Sequence, residues 1–306
     1  MPSQPPIVLT IAGFDPSSGA GITADIKTIA AHECFGIACI TALTVQSTQG
    51  VRRVEMVAPE TVSATLEELV SDFEIAAVHV GMLGTEQMVA TVAAFLDRVR
   101  LPHVVLDPIL RSSSGAELLN LAGRQLMAER LFPLAEVVTP NLDEAVVLTG
   151  MELASGAAAT APLSGSSGTV SLGQSMEAMR EAAERLHALG AANVVVTGGH
   201  LEKAIDLLSF TTDRGVEQEV FKSERQRSSS THGTGCAFAT ALASHLAHGR
   251  GLPEAVLLAK AYISAAIANA QGLGRGVGPL HHLYRMHEQR RPVSTVTEKE
   301  QSHSRS

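Results

Sequence analysis

The chain has 306 residues, of which 45% are hydrophobic, 18% charged and 3% aromatic, with no tryptophan. That is apolar enough to bury a sizeable core and too apolar for a disordered chain. Few aromatics and a formal charge of −8 argue against base-stacking nucleic-acid modules and against polyanion binding by bulk attraction, so no nucleic-acid partner is expected.

The apolar runs are short, rich in β-branched residues and bounded by Gly, Pro or polar residues. Residues 7–12 read as a strand and 21–32 as a helix; a second strand at 37–45 precedes a helix at 59–73. Strand patterns recur at 76–80, 103–106, 136–139 and 192–196, separated by helical stretches at 85–99, 120–131, 141–149 and 174–189. Near-continuous apolar strands alternating with helices predict a mostly parallel sheet covered on both faces, a three-layer α/β/α sandwich. Residues 203–222 break the rhythm: two strand-like runs flank Asp213-Arg214-Gly215, which predicts a small hairpin at the sheet edge, and helices follow at 234–248 and 253–271. Residues 1–286 are expected to form one domain. Within it 151–173, an Ala/Ser/Gly/Thr stretch almost free of charge, reads as a mobile surface insertion, and 287–306 as a disordered polar tail. Cys34, Cys39 and Cys236 are odd in number and lack CxxC spacing, so neither a disulfide framework nor a zinc site is expected. The N-terminus carries no basic segment and no apolar run reaches the roughly 18 residues of a membrane span. A soluble, cytoplasmic protein without a membrane partner is expected.

Ligands of such sheets bind beyond the carboxyl ends of the strands. After the first strand come Gly13, Gly19 and Gly21, which permit close backbone approach ahead of a helix N-terminus. Gly19-x-Gly21-x-x-Ala24 superficially matches a dinucleotide fingerprint, but Gln46-Ser47-Thr48 stands where an acidic residue would hold a ribose, and no Gly-Lys pair supports a Walker loop. Gln46 offers an amide that reads a heterocycle edge or satisfies its own turn, and Met82 a pliable pocket wall or core packing. Asp107, Asn141 and Glu144 place oxygen ligands suited to Mg²⁺ at one edge, while Asn141 and Glu144 also fit a capping box. The strongest signal is Thr231-His232-Gly233-Thr234-Gly235-Cys236 before an Ala-rich helix. Its glycines let N–H groups converge into an anion nest suited to a phosphoryl group in flight. Cys236 at that N-terminus is expected to have a lowered thiol pKa and to be a candidate base, with a buried inert cysteine as the alternative.

Together these landmarks resemble the hydroxymethylpyrimidine/phosphomethylpyrimidine kinases of the ribokinase-like superfamily. The resemblance runs from Val8 to about His282. It is carried by Thr10-Ile11-Ala12-Gly13, Gly19-Ala20-Gly21-Ile22, Ala24-Asp25-Ile26-Lys27-Thr28, Thr44-Val45-Gln46, Gly81-Met82-Leu83, Asp107-Pro108, Thr139-Pro140-Asn141, Gly198-Gly199-His200, the His232 to Cys236 loop and Gly278-Pro279-Leu280-His281-His282. It implies a ribokinase-like fold and two successive ATP-driven, Mg²⁺-dependent phosphorylations of a hydroxymethylpyrimidine in thiamine biosynthesis. It further implies that Gln46, Asp25, Met82, Gly13 and Gly21 surround the substrate, and that Asn141, Thr197, Gly199, Thr231 and His232 hold ATP. Asp107 and Glu144 would hold the metal, Gly233, Thr234 and Gly235 would form the anion hole, and Cys236 would be the base. A homodimer is implied by the same analogy, with the predicted edge hairpin offering pairing groups. Thr197 replaces the lysine usual in the family, so weaker ATP binding or a substitute cation is expected; Phe14 and Ser18 also depart from the commoner Ser and Gly. Pyridoxal kinase is the nearest alternative, and a non-catalytic pyrimidine-binding regulator a more distant one.

Overall fold

A computed structural model describes residues 4–112, 115, 117–151, 172–198, 204–224, 226 and 228–288. Six strands run parallel in the centre of the sheet: β1 (Ile7–Phe14), β2 (Phe35–Ser47), β4 (Ile75–Val80), β5 (Val104–Leu106), β6 (Val137–Val138) and β7 (Asn193–Thr197). Antiparallel β3 (Gly50–Met56) closes one edge, and the hairpin of β8 (Ala204–Thr212) and β9 (Gly215–Ser223) closes the other, in the order β3-β2-β1-β4-β5-β6-β7-β8-β9.

Successive side chains on a strand point to opposite faces, and here both faces are covered. Leu9, Val78, Leu106, Val138 and Val196 join one cluster of buried residues under α2 (Pro59–Asp72), α3 (Glu86–Val99), α4 (Leu121–Arg130), α5 (Leu142–Thr149) and α6 (Leu172–Ala188). Their neighbours Val8, Ala77, Val105, Val137 and Val195 join the other, under α1 (Gly21–Ala31), α7 (Thr234–Ala247) and α8 (Leu252–Ala268). This is why the strands read as continuous apolar runs. A short α9 (Tyr284–Glu288) ends the described chain.

The expected alternation is present, with one strand added. Arg52, Arg53 and Glu55 make β3 too polar to register as a strand, because it pairs only with the far end of β2 and buries no residue fully, meeting the core at Met56. Its pairing extends β2 to Ser47, so Gln46 lies within a two-stranded ribbon with a register shift at Val45/Gln46 rather than in a loop. Residues 172–173 open α6 instead of ending an insertion. The rest of that expected insertion, 152–171, and the tail from 289 onward lie outside the described residues.

Candidate active site

The chain places β2 on one side of β1 and β4 on the other, and the crevice at such a switch point is where open α/β sheets bind ligands. A cavity of about 1230 Å³ lies there, above the ~300–1,000 Å³ usual for one small ligand, so two ligands fit side by side. Gly13, Gln46, Met82, Asp107, Asn141 and Thr197, each at or just beyond the end of a different strand, line it.

The start of α7 forms the opposite wall. Gly233 caps the helix at φ 79°, and a Cβ there would lie 1.9 Å from the Gly19 carbonyl oxygen, so only glycine fits. Gly21, at φ +56°, is equally confined, its missing Cβ falling 2.1 Å from the Gly13 carbonyl oxygen. The two glycine loops therefore interlock. The Thr234 hydroxyl donates to the Thr231 carbonyl at 2.7 Å, and the Ala237 N–H closes the first turn on the Gly233 carbonyl at 3.0 Å. Gly233, Thr234, Gly235 and Cys236 face the cavity at a helix end worth about half a positive charge, which suits a phosphoryl group.

Under this wall the charges are negative. The Cys236 thiol donates to the Asp107 carboxylate, and its sulfur accepts the Gly21 N–H. The lowered thiol pKa expected from the helix end is corrected: burial, then the charges of Asp107 and Asp25, push it well above its ordinary value. A half charge on one side is outweighed by full carboxylate charges in a poorly solvated pocket. Burial pushes Asp107 up to about 6 against the pull of His79, and burial together with the Asp107 charge pushes Glu144 up to about 8.

Asp107 is buried, and burial together with its charge keeps a proton on Glu144, so this pair of oxygen donors fits a hard divalent cation. Among the described residues no group of three or more His, Cys, Asp or Glu could hold a metal alone. Asp107 and Glu144 therefore suit an ion whose remaining ligands are phosphate oxygens and water. Glu144 also caps α5: its carboxylate accepts the Asn141 N–H at 3.0 Å while the Asn141 side chain accepts the Glu144 N–H at 2.9 Å. That capping box is worth about 1 kcal/mol. Of the two roles foreseen for the pair, the capping box is present.

A family model described as phosphomethylpyrimidine kinase matches residues 15–281. The chain belongs to the phosphomethylpyrimidine kinase family. Thiamine biosynthesis bifunctional protein ThiED of Geobacter sulfurreducens is 43% identical over 276 residues, covering 90% of this chain and 52% of that protein, so the chain spans about half of this longer relative. A hydroxymethylpyrimidine/phosphomethylpyrimidine kinase of Haemophilus influenzae is 36% identical over 280 residues, covering 90% of this chain and 96% of that one. Among solved structures, Bacillus subtilis pyridoxal kinase in an ADP complex matches at a TM-score of 0.77 and 33% identity, over 91% of this chain and 98% of that one. The fold is ribokinase-like, and this member of the phosphomethylpyrimidine kinase family is a phosphotransferase.

Within this family member the expected residues divide into those the structure gathers and those it moves. Gly13, Gly21, Gln46 and Met82 lie at one end of the cavity wall, and Asn141 and Thr197 are bridged at the other, where the Thr197 N–H donates to the Pro140 carbonyl at 2.9 Å. Thr231 also lines the cavity. Gly199 lies outside the described residues. Asp25 is corrected: it is fully buried below the cavity and accepts hydrogen bonds from Thr10 at 2.7 Å and Thr240 at 2.8 Å. His79 Nδ1 lies 3.3 Å from the same carboxylate, whose charge overcomes burial and raises the His79 pKa. Asp25 therefore supports the floor and is not a cavity wall. His232, expected beside ATP, lies next to Gln46, with Nε2 2.9 Å from Asp15 Oδ2 and 3.1 Å from the Gln46 amide nitrogen.

Sequence reasoning missed Lys260. On α8 its ammonium donates to Asp206 Oδ2 at 2.7 Å in a nearly buried pair, and both residues line the cavity. Asp206 pairs with Thr197 across β7 and β8 and accepts the Gly198 N–H at 3.1 Å. The available signal was a single lysine inside the apolar pattern of 253–271.

Proposed function

We propose that this chain transfers the γ-phosphoryl group of ATP to the hydroxymethyl group of 4-amino-5-hydroxymethyl-2-methylpyrimidine, and then a second one to the monophosphate, for thiamine biosynthesis. One observation carries the substrate: the Gln46 amide and Met82 lie in the same cavity as the Gly-Thr-Gly-Cys start of α7. An amide edge beside an apolar wall suits a small polar heterocycle, and the helix end faces what that heterocycle must accept.

The hydroxyl oxygen attacks the γ-phosphorus, the bond to the bridging oxygen breaks, and ADP leaves. Gly233, Thr234 and Gly235 hold the charge spread over the transferring group, the main task in a loose phosphoryl transfer. Because the Cys236 thiol is protonated at rest and donates to Asp107, its role is a relay: the sulfur takes the hydroxyl proton while its own proton passes to the Asp107 carboxylate. Asp107 and Glu144 would hold Mg²⁺, which when bound offsets the phosphate charge. Asn141, Thr197 and Thr231 flank the nucleotide, and Lys260 is the cation that Thr197 does not supply.

Pyridoxal is the second substrate to weigh, because the fold is shared with a pyridoxal kinase; Gln46 and Met82 favour the pyrimidine. A non-catalytic regulator would not need the complete Gly-Thr-Gly-Cys loop with Asp107 beside it. The chain works as a homodimer, for which two exposed sheet edges and the outward Leu43 and Val45 of β2 offer surfaces. Its three cysteines are free thiols, and none of its described helices is long and apolar enough to cross a membrane, which supports a reducing, cytoplasmic setting. Parallel assays with ATP decide the substrate: the pyrimidine is expected to give the higher kcat/KM, and a preference for pyridoxal would overturn the assignment.

A further inference from the structure

Gln46 ends a chain of polar groups whose hydrogen-bond directions are forced. Asp15 accepts five hydrogen bonds. Oδ1 takes the Ser17 N–H at 2.8 Å and its hydroxyl at 2.7 Å; Oδ2 takes the N–H groups of Gly19 at 3.2 Å and Ala20 at 3.0 Å, and His232 Nε2 at 2.9 Å. Burial opposes the charge on Asp15, but the bonds from His232 and Ser17 win and hold its pKa below the ordinary value. Asp15 is therefore a carboxylate, able only to accept, and His232 Nε2 must carry the proton between them. That holds whether the ring is neutral or charged.

The same Nε2 faces the Gln46 amide nitrogen at 3.1 Å, which sets two N–H groups against each other. At the opposite end, Gln46 Oε1 lies 3.1 Å from Thr44 Oγ1. The Thr44 hydroxyl also lies 2.9 Å from the Phe14 carbonyl oxygen, which can only accept. A hydroxyl has one proton, so once it goes to Phe14 only lone pairs are left toward Gln46. A half-turn of the amide relieves both ends: Oε1 then shares the His232 Nε2–H with Asp15 in a bifurcated hydrogen bond, and Nε2 donates to Thr44. The imidazole is clamped in place: a Cβ on Gly19 would lie 2.3 Å from His232 Cδ2, and the His232 N–H donates to the Gly278 carbonyl at 3.0 Å.

We infer that Asp15 and His232 are positioning residues that lock the Gln46 amide with its oxygen toward His232 and its nitrogen toward Thr44. They thereby select a heteroaromatic edge whose donor lies on the His232 side and whose acceptor lies on the Thr44 side. An exocyclic amine beside a ring nitrogen has that order, the amine donating to Oε1 and the ring nitrogen accepting from Nε2. The inference rests on the reading that Gln46 contacts the pyrimidine.

The test compares wild type with H232M, which removes the donor at similar reach, H232Q, which restores an N–H there, and Q46M. Losing one hydrogen bond that orders the reading group is expected to raise KM for the aminopyrimidine about tenfold in H232M. Its kcat should change less than about threefold and its KM for ATP not at all, while H232Q recovers most of the loss. In ¹⁵N-labelled protein the Gln46 side-chain amide signal, identified by its absence in Q46M, should shift in H232M and return in H232Q. If Q46M uses the pyrimidine as well as wild type does, the underlying reading of Gln46 fails. If Q46M is impaired while H232M is not, only the positioning role fails. A raised KM for ATP with an unchanged KM for the pyrimidine would also overturn it, returning His232 to the nucleotide. Should H232M not fold, T44V removes the acceptor at the other end of the amide, and KM for the pyrimidine should rise by the same order; no rise would refute the inference.

Discussion

Lowering the pH from 7 to 5 should cost this chain stability through two buried histidines near the packing of α1 on α8. His32 donates from Nδ1 to the Thr28 carbonyl at 2.7 Å and meets Tyr262 edge-on at 4.5 Å; His282 Nδ1 lies 3.1 Å from Thr28 Oγ1. Among the described residues, the Nε2 atoms of both rings are buried without a hydrogen-bond partner. Burial is the main cause that lowers each pKa to about 4, against about 6.5 in an unfolded chain. Below pH 6.5 the unfolded chain therefore takes up protons that the folded chain refuses. Stability falls as the pH drops toward 4 and levels off below it. Between pH 7 and 5 each ring contributes roughly 2 kcal/mol of loss, about 4 kcal/mol for both. Asp107 and Glu144 act in the opposite direction, since their raised folded pKa values of about 6 and about 8 add stability as the pH falls. The readout is accordingly a difference. H32N/H282N keeps a donor near each Nδ1 and cannot ionise, while the carboxylates and His245 are common to both proteins. Urea unfolding at the two pH values should show wild type losing about 4 kcal/mol more than the variant, at constant m. Parallel losses would refute the burial argument, whatever the variant's stability at pH 7.

Two further outcomes concern the reaction. Cys236→Ala should lower kcat by roughly 10²-fold or more; in wild type, kcat/KM for ATP should rise with pH through the Asp107 and Glu144 values of about 6 and about 8 and then level off, whereas a rise only above pH 9 would restore an ionised thiol as the base. K260M/D206N, which removes the buried pair without leaving one charge alone, should raise KM for ATP about tenfold, and adding Thr197→Lys should bring it back; Thr197→Lys in wild type should then change KM less than about threefold. An unchanged KM in K260M/D206N would show that the lysine only neutralises Asp206.

The parallel core was legible because buried strands must be apolar on both faces, as the adjacent pairs Val8 and Leu9 or Ala77 and Val78 show, each split between the two clusters of buried residues. β3 was not, because an edge strand with no fully buried residue has no such pattern to display. At the site, residues immediately after strands were legible from position alone: Gln46, Met82, Asp107 and Asn141 all line one cavity. What failed were properties set by neighbours distant in sequence. Cys236 reads as activated beside its own helix end, but burial, joined by the charges of Asp107 and Asp25, reverses the sign. His232 reads as part of the phosphate loop until Asp15, 217 positions away, draws it toward Gln46. Lys260 reads as an oddity in an apolar helix until β8, paired with β7, brings Asp206 to it.

The central claim is that the helix start at Gly233 to Cys236 phosphorylates a heterocycle held by Gln46. Its most direct test is to incubate the purified chain with ATP, Mg²⁺ and 4-amino-5-hydroxymethyl-2-methylpyrimidine and follow the products by mass. The account predicts the monophosphate first and then the diphosphate, with one ADP released for each phosphoryl group added. No phosphorylated pyrimidine, under conditions where the same protein converts pyridoxal to its phosphate, would contradict it.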